Sequence, residues 1–261
     1  MERSIFLATV LFSLISFSSV AATVDGSINV ANEYQWNTES IANGGSSKWN
    51  THRNQPREYN DASGGDDWDI NFLGTNIENG KFQFGAIGGK ILSGRETGNN
   101  IFLSDFAIDV SGNRSNPTLD SSDFDYAIRL LGVDSTSGEA SFALLTGGTW
   151  EGANLYGSSY APDHMTETYK MNNATTLTTF VGAWTRNGGD DNVLEGEFDL
   201  SFLSAFDASL GGVIGTYLTM ACVNDEAMVY ADVAAVPVPA ALWLLTPALI
   251  GFVGMRRRIK A

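Results

Sequence analysis

Acidic side chains carry most of the chemistry this sequence could perform. In DDWDINFLGTNIE, Asp67, Asp69, Asn71 and Glu78 fall at positions 1, 3, 5 and 12 of a calcium-binding loop. Position 6, where such a loop turns on glycine, is Phe72. Trp68, Ile70 and Phe72 also alternate with the polar residues, as on a half-buried strand. The stretch therefore reads as a strand, and a strand cannot curl into that loop. Asp67 and Asp69 then share one strand face and repel each other, which a calcium ion or a basic partner such as Arg57 or Lys81 relieves. Two more acidic clusters, DSSDFD (120–125) and GGDDN (188–192), read first as solvated turns capped by their own side chains. A calcium centre needs ligands converging from different loops, so its candidates are Asp67 or Asp69 together with Asp123 or Asp190.

Catalytic patterns are sparse. His52 and His164 both sit in polar stretches, and neither has a metal-ligand spacing. The chain has no G-x-S-x-G elbow, phosphate-binding loop or dinucleotide fingerprint. Its one cysteine, Cys222, lies in the apolar run YLTMACVND and reads as a small buried hydrophobe. A glycosidase needs only two carboxylates, but their abundance here is no evidence for one, and the expectation is that the protein is not an enzyme. Trp36, Trp49, Trp150 and Trp184 are candidates for a sugar-stacking platform, although tryptophan in a β-sandwich more often belongs to the core.

The elements that must hold these residues are short strands punctuated by glycine. Gly-Gly pairs recur at 44–45, 64–65, 88–89, 147–148, 188–189 and 211–212. Between them run KFQFGAI, FLSDFAIDV, FDYAIRLLGVD, EASFALLTGGTW, TLTTFVGAWTR, VLEGEFDLSFL and VIGTYLTMACV, several alternating with period two. Strands this close, with no long helical pattern between them, predict an all-β fold, an antiparallel β-sandwich. SFLSAFDASLGG is expected to form a short helix or an irregular loop, and 37–66 and 151–176 to be long connections.

Both ends read as addresses. Residues 1–22 have an apolar run from Ile5 to Phe17, with Val20 and Ala22 as the small residues a signal peptidase accepts, so cleavage is expected after Ala22. The body, 23–235, keeps ten cationic and 29 anionic side chains, a net charge of −19. That balance excludes nucleic-acid binding, favours solubility and allows calcium. One cysteine in an exported chain means no internal disulfide, so the core must supply the stability. Residues 236–261 form three successive parts: VPVPA, an apolar run from Ala241 to Met255, and a basic stop of Arg256, Arg257, Arg258 and Lys260. Pro237 and Pro239 hold the chain extended before the apolar run, as suits entry into a protease cleft.

This tail resembles the PEP-CTERM class of bacterial sorting signals in its VPLPA variant. The likeness rests on Val236, Pro237, Pro239 and Ala240, with Val238 where that variant has leucine. The resemblance implies a Gram-negative protein exported by the general secretory route and held transiently in the inner membrane by its C-terminal helix. An exosortase, an integral-membrane cysteine protease, would then process it for the cell surface or extracellular matrix. The family commonly accompanies exopolysaccharide and biofilm production. WDINFLGTNIENGKFQFGAIGG, DFAIDV, YAIRL and YLTMACVND resemble, more loosely, the bodies of some such proteins, which implies a sandwich related to carbohydrate-binding modules. The function expected is adhesion or association with extracellular polysaccharide. The alternatives are a secreted carbohydrate-binding or glycan-degrading protein, and a calcium-binding structural module.

Overall fold

The computed structural model describes residues 22–29, 33–34, 70–89, 92, 102–110, 124–152, 168–186, 192–206, 211–219 and 226–233. Eleven strands account for most of them: β1 (Ile70–Glu78), β2 (Lys81–Gly88), β3 (Phe106–Asp109), β4 (Tyr126–Asp134), β5 (Glu139–Thr146), β6 (Thr149–Gly152), β7 (Thr168–Asn172), β8 (Thr175–Arg186), β9 (Asn192–Asp199), β10 (Gly212–Thr219) and β11 (Glu226–Val233). Nine of them form one antiparallel sheet in the order β1-β2-β9-β8-β5-β4-β3-β10-β11, and β6 with β7 makes a separate two-stranded ribbon.

The all-β, antiparallel expectation holds, and among the described residues nine of the eleven strands belong to one sheet. One sheet rolls until its edges nearly meet, with β11 against β1. Inside the roll the buried Thr75 hydroxyl of β1 donates to the Thr216 hydroxyl of β10 at 2.9 Å. Right-handed twist accumulates over nine strands, and rolling buries one whole face without a second sheet.

Period-two alternation selects the inner face. Phe82, Phe84, Phe106, Phe142, Leu194, Phe198, Ile214 and Val229 are buried in one cluster. Phe84 is its centre, with ring centroids of Phe106 at 4.9 Å and Phe142 at 5.2 Å. Opposite Phe84 in register stands Gly196, where a Cβ would lie 2.6 Å from the Phe84 ring. The glycine makes room for the phenylalanine. The hairpin between β1 and β2 turns on Asn79 (φ 52°) and Gly80 (φ 76°), the two positive φ values that a two-residue type I′ turn requires.

Asn71 and Glu78 both lie in β1, seven residues and roughly 23 Å apart, so no calcium loop forms over 67–78. The segment expected as a short helix or loop begins with a 3-10 turn, Leu200–Phe202, capped by Asp199, whose carboxylate accepts from the Ser201 N–H, and its residues 207–210 lie outside the described residues. Two strands lie where none was expected. β7 falls inside the supposed connection 151–176, and β11 follows the cysteine-bearing run. Among the described residues no helix is long and apolar enough to cross a membrane, and the tail 236–261 lies outside them.

Candidate functional site

Several strands are buried on both faces, because two chain segments cover the outside of the rolled sheet. Each is fastened by a carboxylate that the sheet itself holds.

The first is Glu195 on β9. In the alternation of VLEGEFD its side chain points outward, yet it is fully buried. Residues 22–29 and 33–34 cover it. Tyr34 donates its hydroxyl to Oε1 at 2.7 Å, and the Gly26 N–H donates to Oε2 at 2.7 Å. Tyr34 can lie this close because the strands beneath it present glycine: a Cβ on Gly74 would stand 2.6 Å from Tyr34 Cβ, and one on Gly85 would meet its ring at 3.0 Å. Ala22, Tyr34 and Phe72 form a small apolar cluster beside the carboxylate, with Ile28 and Ile87 against it. Burial pushes the Glu195 carboxyl up to about 7, with the Tyr34 and Gly26 hydrogen bonds opposing and the charges of Glu33 and Asp25 adding. The Tyr34 phenol is raised too, first by burial and then by the charge of Glu195.

Neighbouring polar groups continue the network. Gln83 Nε2 donates to the Ala22 carbonyl at 2.7 Å and to Glu197 at 3.0 Å, while its Oε1 accepts from Asn76 at 3.2 Å. Glu33 accepts from the Thr23 N–H at 3.1 Å and the Asn29 N–H at 2.6 Å, closing the covering segment on itself.

The second carboxylate is Asp105, just before β3 and 2% exposed. Arg129 of β4 grips it with both ends of its fork, Nε to Oδ1 at 2.9 Å and Nη2 to Oδ2 at 2.7 Å. The same Nη2 donates to the Met171 carbonyl at 2.6 Å, and the Met171 N–H donates to Asp105 Oδ2 at 2.9 Å. The hydrogen bond to Asp105 holds the Arg129 guanidinium above its ordinary range. This pair fastens the β6–β7 ribbon over an outer apolar layer of Ala127, Ala143, Leu145 and Met171. Trp150 of β6 adds a bond from Nε1 to the Phe124 carbonyl at 3.0 Å.

Asp109 and Asp125 form an acidic pair. Burial raises the Asp125 carboxyl, the Val110 N–H at 3.2 Å opposes, and the charge of Asp109 adds to the rise. Among the described residues no group of three or more His, Cys, Asp or Glu side chains is placed to hold a metal ion.

The candidate calcium ligands Asp67, Asp69, Asp123 and Asp190 lie outside the described residues. Of the strand starts nearest them, Ile70 and Asn192 lie together at one end of the sheet and Tyr126 lies at the other. Ile70 and Asn192 flank Gly88 at one end of the sheet, next to Arg186, the last residue of β8. Tyr126 pairs with Thr146, which pairs with Thr175, the first residue of β8. β8 has 12 residues, roughly 36 Å of strand. Val236 to Ala240, Arg256 to Arg258 and Lys260 also lie outside the described residues, as do Cys222, His52, His164, Trp36 and Trp49. Of the platform candidates inside, Trp184 belongs to the core and Trp150 is half-buried under its own hydrogen bond. Ala22 is described, and it is buried.

Glu195, Tyr34, Asp105 and Arg129 were not singled out in the sequence. Arg129 carried a usable signal, as the one cation within the apolar run YAIRLLG. Glu195 carried none, because an acid alternating with apolar residues normally marks a solvated face. Compared with family models, with curated proteins and with solved structures, the chain matches none.

Proposed function

We propose that this chain is an exported, non-enzymatic protein of the cell surface or extracellular matrix of a Gram-negative bacterium. It is sorted by an exosortase-type membrane protease and serves adhesion or association with the cell's own exopolysaccharide. The tail carries the reading: the doubled proline of VPVPA, a fifteen-residue apolar run from Ala241 to Met255 and the basic stop at Arg256–Arg258 stand in the order of a cleaved sorting signal. The body is compatible with a structural role. Its interior is filled by phenylalanine rings in mutual contact, and Glu195, its acid poised near neutral pH, is sealed beneath Tyr34 rather than open to a substrate.

An alternative reading takes the rolled sheet as a sandwich akin to carbohydrate-binding modules, acting on external glycans or binding calcium. It draws no support from Trp184, which is spent on the core. The deciding measurement is the intact mass of the protein recovered from the surface and medium of its native host. A species lacking the residues after the VPVPA region is expected. A species retaining Arg256 to Ala261 overturns the sorting assignment and leaves a membrane-tethered domain. Glycan-array and calcium titrations of the mature species then separate the remaining readings.

A further inference from the structure

The leader offers two adjacent cleavage points, and the fold discriminates between them. Val20 and Ala22 place small residues at −3 and −1 of the bond after Ala22, but Ser19 and Ala21 do the same for the bond after Ala21. The folded body uses Ala22. Its side chain is 5% exposed, packed in the cluster with Tyr34 and Phe72. Its carbonyl accepts from Gln83 Nε2 at 2.7 Å, and Gln83 is itself 6% exposed. Removing Ala22 would leave one N–H of a buried amide without its acceptor and open a gap beside the Tyr34 ring that covers Glu195. A buried donor stripped of its partner is more costly than the bond itself is stabilising.

Either cut creates an amine, on Ala22 for the bond after Ala21 and on Thr23 for the bond after Ala22. Cutting after Ala22 would turn the Thr23 N–H, already 3.1 Å from Glu33 Oε1, into an ammonium paired with a carboxylate. That group lies at an exposed site, where such a pair is worth little. The buried amide decides. We infer that the leader ends at Ala21 and that Ala22 is the first residue of the mature body, built into the clasp over Glu195. This rests on the signal-peptide reading above.

The test uses the full chain, exported with its own leader, and N-terminal peptide mass spectrometry of the product. A first residue of Ala22 is expected. A product starting at Thr23, or anywhere further along the body, overturns the inference while leaving the signal-peptide reading intact. Retention of Met1 overturns that reading, and the inference with it. Ala21→Leu supplies a second readout, since it spoils the −1 residue of the inferred site and leaves Val20 and Ala22 for the other. Its product is expected to begin at Thr23 and to melt roughly 2–6 °C lower than the natural one. An unchanged melting temperature for that shorter product would show that Ala22 is no part of the body.

Discussion

At the residue scale, Glu195 couples the fold to pH. Its folded-state value, about 7, lies above the unfolded value of 4.5. The folded form therefore binds the proton more tightly. The stability this group contributes is fully present below pH 4.5 and is lost as pH rises through about 7, with a slope of at most about 1.4 kcal/mol per pH unit. Glu195→Gln keeps the shape, with the amide N–H directed at Tyr34 and the carbonyl at Gly26. Denaturant unfolding across that range should show a flatter pH profile for the variant; equal slopes would show that Glu195 does not set it. Arg129 poses the opposite problem, because its removal strands a carboxylate that is 2% exposed. Arg129→Met should cost roughly 3 kcal/mol, and adding Asp105→Asn should recover part of it. A double-mutant cycle in urea measures both. Simple additivity of the two losses would mean that the pair is not coupled.

The covering segments form the next scale. Residues 22–29 and 33–34 and the β6–β7 ribbon add little regular structure, but they turn half-exposed strands into strands buried on both faces. Their seats are made by absent side chains. Gly74→Ala would put a methyl 2.6 Å from both Tyr34 Cβ and the Phe72 ring, so the covering segment must lift. Overpacking of this kind costs about 1–3 kcal/mol. Hydrogen exchange should report it as faster exchange at the Gly26 amide, with the amides of β5 and β8 unchanged. Uniform loss of protection would mean instead that segment and sheet unfold together. The β1–β2 turn gives a second handle. Gly80→Ala forces a side chain onto φ 76° and should cost about 1–2 kcal/mol, seen as a lower urea midpoint.

At the scale of the whole molecule, a net charge of −15 on 261 residues makes self-repulsion a standing cost of compactness. Raising sodium chloride from about 0.01 M to 0.15 M shortens the screening length from about 30 Å to 8 Å and should raise the melting temperature. If calcium exceeds magnesium at matched ionic strength, a specific site exists; if the two agree, only screening acts. Strand positions were largely legible in the sequence, because alternation with period two is a local property, and KFQFGAI and VLEGEFD state which side chains turn inward. β7 and β11 were not, since TYKMN is short and polar and EAMVYADV, covered on its outer side, blurs the alternation. The two addresses proposed at the chain ends would be linear signals, read from an extended chain, so composition and order sufficed to propose them. What the sequence determined by itself is thus most of the strand content and the acidity. Only the tertiary structure decided that nine strands roll into one sheet, that Glu195 is buried and that Arg129 meets Asp105. Each of these depends on which distant segment covers which face. Long-range packing sets that, through contacts such as Gly26 to Glu195 and Met171 to Asp105, which no local pattern encodes.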